Sequence, residues 1–132
     1  MTHIGSWDWD IINYKMYWSD ETCSIFGFTP RESGSSYDVI LSRTHTDDRE
    51  YVDNAVKRAF KGEPFDIDHR IVLADGTERV VHAQGEVIFN EKSAPVRMRG
   101  TVQDITARIK AIEALEEIRS NPHKRNPPQN KE

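Results

Sequence analysis

Apolar and polar residues alternate through residues 4–12, with Trp7, Trp9 and Ile11 in one phase and Ser6, Asp8 and Asp10 in the other. A period of two is that of a half-buried strand. Asn13 breaks the pattern, which resumes over residues 14–18, so the short gap predicts a hairpin. Ser19 and Asp20 are good N-caps and Glu21 suits a first turn, which predicts a short helix carrying Cys23, Ile25 and Phe26 and stopping at Gly27 before Pro30. Residues 33–36 read as a polar loop and residues 37–41 as a helical turn. Asp47 and Asp48 then open a longer helix. Tyr51, Val52, Ala55, Val56, Ala59 and Phe60 fall on one face of it at spacings of three and four. Gly62 and Pro64 end it.

Three more strands are predicted, over residues 65–73, 77–89 and 96–104. Asp75-Gly76 supplies the first turn between them and residues 90–95 the second. Residues 105–118 form a charged helix with no internal Gly or Pro, and the chain from 119 to 132 becomes a polar linker or tail containing Pro127-Pro128. Consecutive strands joined by hairpins imply an antiparallel sheet with helices on one face, an α+β fold.

Composition narrows the class. With 36% hydrophobic and 30% charged residues in 132, the chain reads as one globular domain. A net charge of −4 argues against a nucleic-acid surface. No apolar run approaches the roughly 20 residues of a membrane span, and the N-terminus lacks the plan of a secretory signal. The single cysteine cannot form an internal disulfide, which fits a reducing compartment. The expected location is therefore the cytoplasm, with a membrane anchor possible elsewhere in a parent protein.

The order of elements, together with several local patterns, resembles the PAS domain of bacterial sensor kinases and cyclic-dinucleotide signalling proteins. The residues that carry the resemblance are Gly5-Ser6-Trp7-Asp8-Trp9-Asp10, Tyr17-Trp18-Ser19-Asp20-Glu21, Ile25-Phe26-Gly27, His45-Thr46-Asp47-Asp48-Arg49, Arg70 with Asp75-Gly76-Thr77, and Gly100-Thr101-Val102-Gln103-Asp104-Ile105-Thr106. It covers residues 4–118 and implies a five-stranded antiparallel sheet wrapping a cavity. It also implies a sensory module that is not itself an enzyme, within a histidine kinase or a diguanylate cyclase or phosphodiesterase. The cofactor is unassigned. Trp9, Val56, Phe60, His69 and Met98 are the candidates to line the cavity. Asp104, Ile105 and Thr106 are the candidates to relay a signal to a C-terminal effector.

Each pattern also has a local reading. Thr46 or Asp47 would cap the helix that follows, and Asp104 and Thr106 would satisfy free backbone N–H groups at a strand-to-helix junction. Neither a haem nor a flavin motif is complete. Cys23 lies outside any light-sensing Asn-Cys-Arg-type motif, and His45, His69 and His82 are the only haem-ligand candidates in the folded part. Of these His69 is in phase with Phe65, Ile67, Ile71 and Leu73, as a core histidine would be. No Cys or His pair has zinc spacing, so no metal is expected. The pairs Asp8/Asp10 and Asp66/Asp68 read as solvated strand faces rather than a hydrolase site. Trp7, Trp9 and Trp18 would be core, a stacking platform or an interface.

In the last helix Ile105, Ile109 and Ile112 form one apolar stripe and Ala111, Leu115 and Ile118 a second. Two stripes predict contact with both the sheet and a partner. A homodimer is therefore expected, with Leu115 and Ile118 at its contacts. Ligand-driven sensing is one reading, with a small molecule in the cavity. A module that only dimerises or docks partners is the other.

Overall fold

The computed structural model describes residues 3–29 and 36–120. Among these the order is β1 (Ile4–Asp10), β2 (Lys15–Trp18), α1 (Asp20–Phe26), α2 (Tyr37–Arg43), a 3-10 turn (Thr46–Asp48), α3 (Arg49–Ala59), β3 (Phe65–Val72), β4 (Glu78–Phe89), β5 (Pro95–Asp104) and α4 (Thr106–Ser120). The strands form one antiparallel sheet in the order β2-β1-β5-β4-β3. The first and last strand pairs are hairpins, and β1 and β5 meet at the centre. The loop expected at residues 33–36 lies outside the described residues except for Ser36, which accepts from the Val39 amide and caps α2. The tail beyond Ser120 also lies outside them, and α4 runs on through Arg119 to Ser120.

Local chemistry sets the boundaries. Ser19 caps α1 by accepting from the Thr22 amide, and Gly27 ends it at φ 83°. That left-handed conformation strains any residue with a Cβ. Arg79 donates to the Ser24 and Ile25 carbonyls at 3.0 and 2.7 Å, satisfying the last turn of the same helix.

One face of the sheet is covered by α1, α2 and α3. Alternation along β3 is complete: Phe65, Ile67, His69 and Ile71 are buried, while Asp66 and Asp68 are exposed. The core joins Val52, Ala55, Val56 and Ala59 of α3 to Phe65, Ile67, Ala83 and Met98 of the sheet. A second cluster packs Ile25 and Phe26 of α1 on Ile71, Val81 and Val102. Tyr51, expected on the buried stripe of α3, is 48% exposed, because α3 turns only the Val52–Ala55–Val56–Ala59 edge to the sheet.

The capping expected of Thr46 or Asp47 is corrected. His45 caps the 3-10 turn through Nδ1, which accepts from the Asp47 amide. Asp48 makes no cap bond to α3. It instead takes three bonds from Arg70, from the backbone N–H at 2.8 Å, Nε at 3.0 Å and Nη2 at 2.7 Å, which tie the start of α3 to β3.

The guanidinium bonds hold the Asp48 carboxyl down at about 2, below its ordinary 3.8. A depressed carboxylate stabilises the fold above its unfolded pKa, and that stabilisation is lost as pH falls from about 4 through 2. Its size is about 1 kcal/mol after allowance for solvent around the pair. Urea titrations of the wild type and Asp48→Asn should therefore show a stability gap at pH 7 that narrows from about pH 4 and closes only near pH 2.

Candidate ligand cavity and exit junction

A cavity of about 50 Å³ lies between the inner sheet face and the helices. Six aromatic side chains dominate its walls: Trp7 and Trp9 of β1, Trp18 of β2, Phe26 of α1, Tyr37 of α2 and Phe65 of β3. The strand period places them there, since Trp7, Trp9 and Trp18 occupy inward phases of a hairpin in which Trp7 pairs with Trp18 and Trp9 with Met16. The tryptophans are therefore core and cavity wall, each of them half-buried. Trp9 stacks on Tyr37 (5.0 Å between centroids, 15° between planes), and Trp18 stacks on Phe26 (5.1 Å, 26°).

Of the five candidates from sequence, Trp9, Val56, His69 and Met98 line the cavity. Phe60 does not. Its ring packs 5.7 Å from Trp9, in the core cluster around α3. Tyr37, Ile40 and Thr22 were not anticipated as walls. Tyr37 begins a two-turn helix with no buried residue, so no periodicity marks it.

The polar groups of the cavity are mostly engaged within the protein. Tyr37 donates to Asp53 at 2.8 Å, and burial with that neighbouring carboxylate pushes the phenol upward, so it stays protonated. Thr22 donates to the Ser6 carbonyl at 2.8 Å. His69 is 5% exposed, and burial lowers its pKa, which keeps the ring neutral at pH 7. Its Nδ1 lies 3.4 Å from the Arg70 carbonyl, a long hydrogen bond in which the ring nitrogen must donate.

The cavity does not fit a haem or a flavin. Drug-sized ligands occupy pockets of about 300–1,000 Å³, several times the space between these rings. Cys23 is buried in α1 and does not line the cavity. Among the described residues no cluster of three or more His, Cys, Asp or Glu is arranged to hold a metal.

The exit junction joins the sheet to α4. Thr106 N–H donates to Asp104 Oδ1 at 2.9 Å, and Thr106 Oγ1 accepts from the Val80 amide at 2.9 Å. The Ile105 amide donates to the Val80 carbonyl at 2.9 Å, and the Ile105 side chain is buried. So Asp104, Ile105 and Thr106 form one unit that ties the end of β5 to β4, and Ile105 precedes α4 rather than lying within it. Met98 and Val102 of the same β5 line the cavity. Beyond the junction α4 leaves the domain. Ile109 and Ile118 are half-buried, whereas Ile112 and Leu115 are 45% and 56% exposed.

The outer sheet face carries charge. Arg97 contacts Asp8 at 2.7 Å and Asp10 at 3.8 Å. His82, a haem-ligand candidate by residue type alone, sits between Asp68 (2.6 Å to Nδ1) and Asp66 (3.1 Å to Nε2). The register Asp68↔His82 creates this cluster. The paired aspartates are thus sheet surface engaged by Arg97 and by the His82 ring rather than two free carboxylates flanking a pocket.

Comparison with known proteins agrees with this geometry. The family model described as PAS fold matches residues 15–102. The chain is 31% identical over 103 residues to the sensor protein FixL of Bradyrhizobium diazoefficiens, covering 77% of this chain and 20% of that protein. It is 34% identical over 111 residues to a blue-light-activated histidine kinase of Brucella ovis, covering 84% of this chain and 22% of the kinase. Among solved structures, a sensory box histidine kinase/response regulator from Burkholderia thailandensis superposes with a TM-score of 0.79 at 27% identity, covering 92% of each chain. The chain thus spans about a fifth of the length of these two curated relatives.

Proposed function

The chain belongs to the PAS fold family, and from that membership we propose that it is the sensory module of a larger signalling protein, a histidine kinase or a cyclic-dinucleotide enzyme. In this reading a change at the cavity moves β5, and the junction passes that movement to α4 and on to a C-terminal effector. The observation that carries it is the continuity of β5. Met98 and Val102 face the cavity, and two residues after Val102 the same strand ends in the Asp104–Thr106 junction. A cavity ligand would favour one of two arrangements of that junction by binding it more tightly. The module itself performs no turnover in this account. Among the described residues no helix is long and apolar enough to cross a membrane, and a cytoplasmic setting for the module is part of the proposal.

Removing the junction's central hydroxyl tests the link. Thr106→Val leaves the Val80 amide without its acceptor. We expect that amide to exchange with solvent at least about tenfold faster, the equivalent of about 1.4 kcal/mol. Faster exchange should extend into the first turn of α4, while the β1–β5 pairing stays protected. Unchanged exchange at both places would remove the junction as a relay.

The small cavity favours a second reading, in which the aromatic walls simply fill the core and the module docks partners. In either reading α4 is the partner-facing element. Leu115 and Ile118 lie beyond the sheet contact, and Leu115 is 56% exposed. Changing both to Ser should weaken self-association measured by sedimentation equilibrium and leave the melting temperature nearly unchanged. A wild-type chain that stays monomeric at high concentration would contradict the dimer contact on α4.

A further inference from the structure

His69 brings the cavity an acceptor that the protein leaves free. The ring makes a single hydrogen bond, from Nδ1–H to the Arg70 carbonyl. The other tautomer would set a lone pair against that carbonyl, so the neutral ring keeps its proton on Nδ1 and leaves Nε2 as a bare acceptor. Burial favours the neutral ring. Among the described residues, the one polar side-chain atom both unpaired and sealed from solvent is Trp18 Nε1. His69 Nε2 is therefore unpaired but within reach of a water-sized probe, on a side chain that is 5% exposed and lines the cavity. The two hydroxyls of the walls give their protons away, Tyr37 to Asp53 and Thr22 to the Ser6 carbonyl. The polar atoms left to a guest are acceptors.

We propose that the cavity takes a small alcohol of about four or five heavy atoms, whose O–H donates to His69 Nε2 and whose apolar body lies against the aromatic walls. This inference rests on the sensory reading of the cavity and adds to it the recognising atom and the ligand class. The size follows from the space, since about 50 Å³ accommodates about four water-sized units. An amine would enter as a cation, and no carboxylate lines the space to replace its hydration. An anion would meet the Nε2 lone pair with no lysine or arginine among the walls. An amide would bring a carbonyl that finds no open donor, because the Trp18 indole N–H is sealed. The stacked pairs Trp9–Tyr37 and Trp18–Phe26 supply flat apolar walls for the body of the alcohol.

2-Propanol and acetone test it, because they share a skeleton and only the alcohol donates. Each is titrated into the isotopically labelled chain while the Met98 methyl and the His69 ring nitrogens are followed by NMR. The expected result is that 2-propanol shifts the Met98 methyl, moves Nε2 upfield and binds at least about tenfold more tightly than acetone, the difference one hydrogen bond makes. His69→Phe keeps an aromatic ring and removes the acceptor, so there the affinity ratio should fall to about one. Should that variant fail to fold, the Nε2 shift in the wild-type chain decides alone. A preference for the alcohol that survives in His69→Phe would overturn the role of His69. If both probes shift Met98 with equal affinity and Nε2 does not move, the donor proposal is overturned and the cavity reading stands. If neither probe shifts Met98, both fall.

Discussion

His69→Asp should lower the stability of the domain by about 3–5 kcal/mol at pH 7, whereas His82→Gln should change it by less than about 1 kcal/mol. His69 is 5% exposed and faces the cavity, with Asp48 and Asp68 close enough to affect its charge. A carboxylate in its place would be buried without a cation and repelled by those neighbours, unless it took up a proton. His82 stands on the opposite face of the sheet with its side chain 31% exposed, where water can replace its contacts with Asp66 and Asp68. Urea unfolding of both variants measures the difference. Equal losses would show that the inner face of β3 tolerates charge and that the cavity is open to solvent.

Gly100→Ala should be at least as damaging, with a loss of about 3 kcal/mol or more and disordered β4–β5 amides. Gly100 of the central strand β5 pairs with Gly85 of β4. A Cβ at position 100 would lie 1.9 Å from the Gln84 carbonyl oxygen and 2.6 Å from the Gly85 Cα, both backbone atoms that no rotamer change can move aside. At Gly85 the added carbon would meet the Trp7 ring at 2.8 Å. The glycine pair thus lets β4 and β5 approach and gives Trp7 its seat against the sheet. Thermal melts compared with Thr101→Ala, one residue away on the outer face, isolate the effect from the loss of a side chain. A variant as stable as the wild type would mean that the strands separate there at little cost.

The same glycines show what a single sequence displays and what it conceals. Turns and caps are local, so Ser19, Gly27 and Asp75-Gly76 could be read directly. Strand alternation is local too, and it placed His69 inside beside Phe65, Ile67 and Ile71. Pairing across the chain leaves no such mark. Gly100 read as part of a family pattern without a reason, because the reason is a residue 15 positions away on another strand. Asp48 looked like one of the acidic residues that open a helix, yet its partner Arg70 lies 22 residues on. Asp66 and Asp68 were seen as solvated, and only the β3–β4 register brings His82 between them. In the cavity, sequence found the inward phase of Trp9, Val56, His69 and Met98, but it could not tell a wall from a neighbour. Phe60 has the right phase on α3 and ends behind Trp9, and Tyr37 has no phase to read and closes the space. The exit helix was legible as amphipathic, although its two stripes gave no measure of how little of it the sheet covers.

The central claim is that the cavity and the effector communicate through the β5–α4 junction. The most direct measurement is the output of the proposed parent protein, autophosphorylation if it is a kinase and cyclic-dinucleotide turnover if it is a cyclic-dinucleotide enzyme, in the wild type and in Thr106→Val. Both forms are assayed with the cavity untouched and with it altered by Met98→Ala. The account predicts that Met98→Ala changes output in the wild-type background and has no effect once Thr106 is replaced, although the effector stays active. An output that responds to Met98→Ala to the same extent in both backgrounds would contradict it.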